Sequence, residues 1–282
     1  MAASPSEHVM PLSESMTVPL NIMRVLVAGF ITTVAGAPML CVIYSTYTFG
    51  LVCSRFGRKQ LLDRILAWNA WFAGTVAQNF WAKPLLSLVS VRVKTRGADR
   101  VDWNGSHVIC ANHASIFDIL ALVSVVPPPF RFVAKRELLK WPIIGWTLRP
   151  AGQIVVDRAD HSSSVGKIHE EATREIDGQV IFFVEGTRTN TGELLPFKKG
   201  AFHFALDRQT KILPTAIAGS FSVLAKVPWW RIHPGRDIEL IFGTPIAVPH
   251  VDNEDARHAE VQRLLEATRQ QLATALASAP KG

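Results

Sequence analysis

Charged residues are scarce in this sequence. Asp, Glu, Lys and Arg together make up 19% of it, whereas the hydrophobic set makes up 48%. That balance, with a mean hydropathy of +0.19, excludes a disordered chain and is more apolar than an ordinary soluble enzyme. Acidic residues are the scarcer sign, 23 against 30 basic ones, so the net charge is +7. A basic, apolar chain suggests an anionic membrane surface, a nucleic acid or a phosphorylated substrate as partner.

Cysteine is also rare, and several common motifs are missing. Cys41, Cys53 and Cys110 are far apart and show neither a disulfide framework nor a metal-ligand spacing. The sequence contains no G-x-G-x-x-G, Walker phosphate loop, H-E-x-x-H or paired-cysteine site. It also lacks the G-x-S-x-G nucleophile elbow. No metal or cofactor is therefore expected.

A stretch without charge lies near the amino terminus, from Val25 to Ser54. About 20 apolar residues suffice to cross the hydrocarbon core of a bilayer. Gly36 and Pro38 interrupt the stretch, and proline kinks or breaks a helix because it removes a hydrogen bond. Two interpretations stay open: one long kinked span, or a re-entrant hairpin of two short helices. A cleaved signal peptide is not expected, because the run starts late and is too long.

Basic residues and a second apolar stretch follow. Residues 55–64 carry four basic side chains and one acidic side chain, so this side is predicted to be cytoplasmic, at the inner membrane if the source is bacterial. A second helix is expected from Ile65 to Ala82, with tryptophans that favour the headgroup zone. The chain is thus predicted to comprise a polar tail (1–24), membrane-associating helices (25–84) and a catalytic domain (85–282).

Short apolar runs separated by helical stretches characterise the catalytic domain. This alternation predicts an α/β fold with a mixed, mainly parallel central sheet flanked by helices. Pro214 inside one run suggests an edge strand or a bulge. The predicted strands are 89–93, 108–111, 131–134, 153–156, 180–184, 212–217 and 238–242, and helices are expected over 160–176, 200–206 and 261–276.

The segment 112–118, which follows one predicted strand, contains His113 and Asp118. Strand ends are where α/β folds place reactive groups. A histidine can take a proton from an alcohol when one ring nitrogen is free and the other is hydrogen-bonded to an acceptor. Asp118 can supply that acceptor if the chain turns between strand and helix. Taken alone, the pair is also compatible with a loop histidine and an aspartate that caps a helix.

A second strand end leads into Glu185, Gly186, Thr187 and Arg188. Arginine can bind a phosphate with paired donors, and glycine lets backbone N–H groups approach an anion. Glu185 is unexpected in an anion site, and it can instead orient Arg188 or hydrogen-bond a hydroxyl. Other cations at predicted strand ends, each also explained as solvated surface charge, are Lys135, Arg136, Arg158, Lys198 and Lys199.

Four motifs in this order resemble those of the glycerophospholipid acyltransferase family, in particular its 1-acyl-sn-glycerol-3-phosphate acyltransferases. The N-H-x4-D motif is matched by Asn112, His113 and Asp118, and F-P-E-G-T-R by Phe183, Glu185, Gly186, Thr187 and Arg188. A basic strand end followed by P-x-x-G is matched by Lys135, Pro142, Ile143 and Gly145, and an apolar strand with proline by the residues around Pro214. The resemblance covers roughly residues 85 to 250. It fails at Val184, where the family usually has proline.

The resemblance implies acyl transfer from acyl-CoA or acyl-carrier protein to the sn-2 hydroxyl of 1-acylglycerol 3-phosphate, which gives phosphatidic acid. It implies that His113 is the general base and that Asp118 orients it. The acceptor phosphate would be held by Arg188, helped by Glu185, Gly186, Thr187 and Lys135.

The implied partners are the lysophospholipid acceptor, the acyl donor and membrane lipid, with no nucleic acid, metal or cofactor. Val184 leaves the acceptor open, so another lysolipid, such as a lyso-amino-acid lipid or lysophosphatidylcholine, is an alternative. A second alternative is a non-catalytic membrane-bound lipid-binding protein with the same fold.

Overall fold

Two long helices at the amino terminus form an antiparallel hairpin. The computed structural model describes residues 12–141, 144–157, 161–172, 178–228, 231–251 and 253–280. Helix α1 is Leu12–Arg55 and α2 is Lys59–Val76, followed by a π-helical turn, Ala77–Ala82, and by α3, Lys83–Leu88. Helix α1 begins inside the predicted polar tail and continues past Gly36 and Pro38. The chain therefore forms one long helix here, and not a pair of short ones.

Polar contacts join the hairpin to itself and to the rest of the chain. The buried Asn69 amide donates to the carbonyl oxygens of Ile43 (3.3 Å) and Pro150 (2.8 Å), and its oxygen accepts from Thr46 Oγ1 at 2.8 Å. Asn69 thus connects α1, α2 and the segment before β4. Farther along, the Trp81 indole donates to Thr32 Oγ1 at 3.1 Å.

The other side of α1 is apolar and exposed. Within the described residues, Leu26–Arg55 is the one helical segment whose length and composition would allow it to cross a membrane. Exposed apolar side chains recur along α1 at helical spacing, which keeps them on one face. They include Met23, Leu26, Val27, Phe30, Val34, Val42, Phe49 and Val52.

A seven-stranded mixed sheet is the centre of the catalytic domain, in the order β1-β7-β6-β2-β5-β3-β4. All neighbouring strands are parallel except β6 and β7, which confirms the predicted fold class. The strands are β1 Arg92–Arg96, β2 Val108–Ala111, β3 Phe130–Lys135, β4 Ile154–Val156, β5 Gln179–Phe183, β6 Ile212–Ala218 and β7 Asp237–Phe242. The further helices are α4 Phe117–Val125, α5 Ile144–Leu148, α6 His161–Ala172, α7 Gly200–Arg208, α8 Ser220–Val223 and α9 Glu254–Ser278.

Apolar clusters cover the two faces of the sheet. Strand β2 is buried throughout, with Ile109 and Ala111 in one cluster and Val108 and Cys110 in the other. This alternation follows from the two-residue period of a strand. A strand buried on both faces is expected to read as a continuous apolar run, which is why the sequence locates it correctly.

Two strand predictions differ from the structure. The first strand begins at Arg92 instead of position 89, because Val89 follows α3 and packs into the core there. Pro214 does not mark an edge or a bulge, since β6 lies between β2 and β7. The Ile212 N–H points away from β2, towards Ile246 O. By alternation the Pro214 nitrogen points the same way, so proline removes no donor from the β2–β6 ladder.

Five neighbouring strands share one direction: β6, β2, β5, β3 and β4. Their carboxyl ends therefore meet at a single edge of the sheet, with adjacent strands about 4.8 Å apart. Strand β2 has β6 on one side and β5 on the other, so the segments that follow these three strands lie next to one another.

Candidate active site

His113 and Asp118 lie in the turn between β2 and α4. The Asp118 Oδ2 atom is 2.8 Å from His113 Nδ1, and it accepts hydrogen bonds from the backbone N–H groups of Ala114 (2.7 Å) and Ser115 (2.8 Å). Asp118 is fully buried, whereas the His113 side chain is 15% exposed. Because an ionised carboxylate only accepts hydrogen bonds, Nδ1 carries the hydrogen in the neutral ring and Nε2 keeps a lone pair. The pair thus has the arrangement of a base and its orienting carboxylate.

The Phe183 ring packs against the face of the His113 imidazole. The two rings stack with centroids 3.9 Å apart and planes inclined by 15°. Phe132 stacks in turn on Phe183, with centroids 6.1 Å apart. The imidazole is therefore oriented by a hydrogen bond at its edge and by an aromatic ring on its face, and the second contact was not anticipated from the sequence.

Asn112 and Ser115 anchor the turn to neighbouring segments. The Asn112 side-chain amide donates to Ile217 O (3.0 Å) and accepts from Ile217 N (2.7 Å), so it pairs with β6 as a backbone peptide would. The Ser115 hydroxyl donates to Leu224 O at 2.7 Å and accepts from Phe117 N at 3.2 Å. Both side chains are buried, and both fix the position of His113.

Glu185 is bound to the backbone of the protein. Its Oε1 accepts from His113 N and its Oε2 from Leu195 N, each at 2.8 Å, and the residue is 3% exposed. Burial raises the pKa of Glu185, while the two backbone hydrogen bonds oppose that shift. Its carboxylate is thus not directed at Arg188 or at a hydroxyl, the two roles considered from the sequence. Instead it connects the loop after β5 to the turn that contains His113.

The next residues of the same loop are Gly186, Thr187 and Arg188. Gly186 has a φ of 73°, a left-handed conformation that favours glycine, and a side chain there would contact Lys198 Cγ. Thr187 is exposed and Arg188 is half-buried. The next residue, Thr189, donates its N–H to His113 O at 2.9 Å, which brings Arg188 beside the histidine turn. Among the described residues Arg188 has no ion-pair partner.

Val184 makes a hydrogen bond that proline could not. Its N–H donates to Ala111 O at 3.0 Å, and its carbonyl accepts from Lys198 N at 2.7 Å. Val184 is also buried. The bond to Ala111 O extends the β2–β5 ladder by one residue beyond the strand ends. Proline, which the resembling family usually has here, lacks this donor.

The remaining predicted positions are more peripheral or lie outside the described residues. Lys135 ends β3 and is exposed, with β5 between its strand and β2. Gly145 leaves no room for a side chain, because a Cβ would collide with the carbonyl oxygens of Leu138 and Leu139. Pro142, Ile143 and Arg158 lie outside the described residues. In the part of the chain that is described, no group of three His, Cys, Asp or Glu side chains is placed to hold a metal ion.

Comparison with known proteins identifies the domain that carries this site. The family model described as Acyltransferase matches residues 92–218, which include β1 to β6 and the His113 turn. Residues 92–218 are an acyltransferase-family domain. Its boundaries enclose Asp118, Glu185 and Arg188 as well.

Named relatives are similar over part of their length. The 1-acyl-sn-glycerol-3-phosphate acyltransferase alpha of Mus musculus is 31% identical over 189 residues, 66% of this chain and 64% of the mouse protein. The Homo sapiens alpha protein is 36% identical over 133 residues, 46% of this chain and 47% of the human protein. The 1-acyl-sn-glycerol-3-phosphate acyltransferase of Cocos nucifera is 31% identical over 157 residues, 55% of this chain and 50% of that protein. The chain thus spans less than two thirds of the length of these relatives.

A solved structure shares the fold. The crystal structure of the 1-acyl-sn-glycerophosphate (LPA) acyltransferase PlsC from Thermotoga maritima superimposes with a TM-score of 0.55 at 20% identity. The superposition covers 92% of this chain and 100% of that one, so the shared architecture includes the amino-terminal helices.

Proposed function

We propose that the protein transfers an acyl group from a thioester to the sn-2 hydroxyl of 1-acyl-sn-glycerol 3-phosphate, giving phosphatidic acid. The observation that carries this proposal is the His113–Asp118 pair, whose free Nε2 lies at the carboxyl edge of the sheet beside the loop of Arg188. The acyltransferase-family domain and the names of the relatives support the same reaction.

His113 acts as the general base in this mechanism. Its Nε2 takes the proton of the sn-2 hydroxyl, and Asp118 stabilises the resulting imidazolium. The alkoxide oxygen attacks the thioester carbonyl carbon to give a tetrahedral intermediate. Its collapse breaks the carbon–sulfur bond, and the leaving thiolate of coenzyme A or acyl-carrier protein receives the proton from the imidazolium. A well-placed base accelerates such a step by about 10²–10⁴-fold.

Arg188 is assigned to the acceptor phosphate. The residue is half-buried and has no ion-pair partner in the described part of the chain, and its guanidinium can bind two phosphate oxygens at once. Gly186, Thr187 and Lys135 complete the proposed binding set, with Lys135 at the outer end. Glu185 contributes by fixing the loop to the His113 turn, since both its oxygens bind backbone N–H groups.

The hairpin is proposed to hold the enzyme on the membrane in which its lipid substrate lies. The exposed apolar face of α1 and the basic segment 55–64 support this, with the catalytic domain on the cytoplasmic face, or at the inner membrane if the source is bacterial. We retain the division into 1–24, 25–84 and 85–282, with α1 beginning earlier, at Leu12. Membrane lipid and the acyl donor are then the partners, with no nucleic acid, metal or cofactor.

An acyl-transfer assay on the full chain in lipid vesicles tests the proposal. Acyl-CoA and acyl-carrier protein are each offered with 1-acylglycerol 3-phosphate, lysophosphatidylcholine and a lyso-amino-acid lipid. We expect His113→Ala to lower turnover at least about 10²-fold without changing the melting temperature. His258→Ala, on the exposed surface of α9, is the matched control and should keep full activity.

Three results would contradict the proposal. Undiminished turnover by folded His113→Ala protein would exclude the general-base role. Absence of turnover with every acceptor would favour a lipid-binding protein, and turnover restricted to an acceptor without a phosphate monoester would assign a different lysolipid.

A further inference from the structure

A third loop reaches the turn that contains His113: the segment after β6. This segment comprises α8 and residues 224–228. Because β6 and β5 are the two neighbours of β2, the loops that follow these three strands meet above the end of β2. The hydrogen bond from Ser115 Oγ to Leu224 O, 2.7 Å, fixes the third loop against the histidine turn.

Lys226 extends from this loop to the loop of Arg188. Its Nζ donates to the carbonyl oxygen of Arg188 at 3.5 Å, and the side chain is half-buried. Thr189, next to Arg188, is bonded to His113 O. Lys226 and Arg188 therefore come from opposite sides of β2 and meet beside His113.

The Lys226 ammonium lies against the backbone of Arg188, so two basic residues are neighbours here. In the described residues neither Lys226 nor Arg188 forms an ion pair, and both oxygens of Glu185 are occupied by backbone N–H groups. An ammonium has three donors, and the Arg188 carbonyl uses one, so two are left for a ligand. Because opposite charges attract more strongly in a partly buried site than in bulk water, an anion that contacts both side chains would be bound favourably.

We propose that Lys226 is a second binding residue for the acceptor's phosphate, and that it gives the enzyme a preference for phosphate monoesters. This inference rests on the proposed function. The phosphate and the sn-2 hydroxyl are on adjacent carbons of the glycerol backbone, so a phosphate held by Arg188 and Lys226 leaves the hydroxyl near His113. The arginine fork binds two oxygens and the lysine, as a point charge, binds a third.

The preference follows from charge. A phosphate monoester carries about −1.5 to −2 at neutral pH, so both cations attract it. A phosphocholine headgroup has a single negative charge and a quaternary ammonium, which Lys226 would repel. Lysophosphatidylcholine is therefore discriminated against by an unfavourable contact as well as by the loss of a favourable one.

Steady-state kinetics of Lys226 variants test this inference. We expect Lys226→Met to raise KM for 1-acylglycerol 3-phosphate about 10-fold, the effect of losing one charge-assisted hydrogen bond, with little change in kcat. The kcat/KM ratio of this acceptor over lysophosphatidylcholine should fall by a similar factor. Lys226→Arg should restore most of the affinity. Lys211→Met, an exposed lysine before β6, is the control and should behave as wild type.

Folding and function can be separated in this experiment. Lys226→Gln, which keeps a donor for the Arg188 carbonyl without the charge, is measured beside Lys226→Met in case the latter lowers the melting temperature. A KM for 1-acylglycerol 3-phosphate within about twofold of wild type in both neutral variants would overturn the role of Lys226, since a lost charge-assisted bond costs more. Failure of the wild-type protein to use this acceptor would overturn the proposed function itself.

Discussion

The substitution Asp118→Asn removes the negative charge of this side chain but can keep its hydrogen bonds in the turn. The Oδ2 atom accepts hydrogen bonds from His113 Nδ1 and from the N–H groups of Ala114 and Ser115. The other oxygen, Oδ1, is buried and has no hydrogen-bond partner among the described residues. Asparagine can place its oxygen at the Oδ2 position and its NH₂ group at the Oδ1 position. All three bonds then survive, while the negative charge is lost.

Loss of the charge is expected to act mainly on kcat, and loss of the hydrogen-bond acceptor mainly on stability. Two unit charges about 4 Å apart interact by about 4 kcal/mol at an effective dielectric constant of about 20, so loss of the carboxylate charge should lower kcat about 10³-fold. One buried, unsatisfied NH₂ group costs about 1–3 kcal/mol of stability. Asp118→Ala instead removes the acceptor of three donors, at about 3–9 kcal/mol in total, which approaches the whole stability of a domain, about 5–15 kcal/mol.

The assay combines turnover at saturating substrates with thermal unfolding followed by circular dichroism. We expect Asp118→Asn to have a much lower kcat than wild type, the same KM for the acceptor, and a melting temperature within several degrees of wild type. Asp118→Ala should lose both activity and the folded state.

A kcat for Asp118→Asn within about tenfold of wild type would refute the electrostatic argument, because the transition state would then have lost at most about 1.4 kcal/mol instead of the roughly 4 kcal/mol expected. Equal destabilisation of the two variants would show that the asparagine does not preserve the turn.

Three further changes probe neighbouring parts of the fold. Glu185→Gln puts an NH₂ group against a backbone N–H and should displace the His113 turn; kcat should fall at unchanged acceptor KM, whereas a raised KM alone would indicate substrate contact. Val184→Pro removes the donor to Ala111 O and should lower the free energy of unfolding in urea by about 1–3 kcal/mol; an unchanged value would contradict this. Burial lowers the pKa of His107 below its usual 6.5, so stability should be full above pH 6.5 and fall as the pH drops towards the lowered value. His107→Gln should flatten the dependence of Tm on pH between 7.5 and 5.5, and an unaltered slope would exclude this group.

Much of the sheet could be predicted because parallel strands that are buried on both faces consist of consecutive apolar residues in the sequence. The run 108–111 is β2 without any shift, and the periodic positions 261–276 lie within α9. The course of the chain at Pro38 could not be predicted, because a proline in a long helix is tolerated only where neighbouring helices support it. Contacts from residues distant in sequence lie on either side of this proline: Asn69 of α2 donates to Ile43 O, and Trp81 of the π-helical turn donates to Thr32 Oγ1.

The candidate site divides in the same way. Residue types and spacing, together with the family resemblance, were enough to select His113, Asp118 and Arg188, because these positions lie at strand ends within short motifs. The hydrogen-bond partners of the Glu185 carboxylate could not be predicted from the sequence, since one of them, His113, is 72 positions away along the chain. Lys226 had no signal at all, because it lies in an irregular segment well after β6.

Local chemistry therefore determined which groups are present: an apolar helix, buried strands, a histidine with an acid five residues later, and a loop with glycine and arginine. The topology decided which of them act together. Because β6, β2 and β5 are parallel neighbours, three segments from distant parts of the chain converge at one edge. Hydrogen bonds across that edge, such as Asn112 to Ile217 over 105 positions, depend on strand order, which the composition and periodicity of the chain do not encode locally.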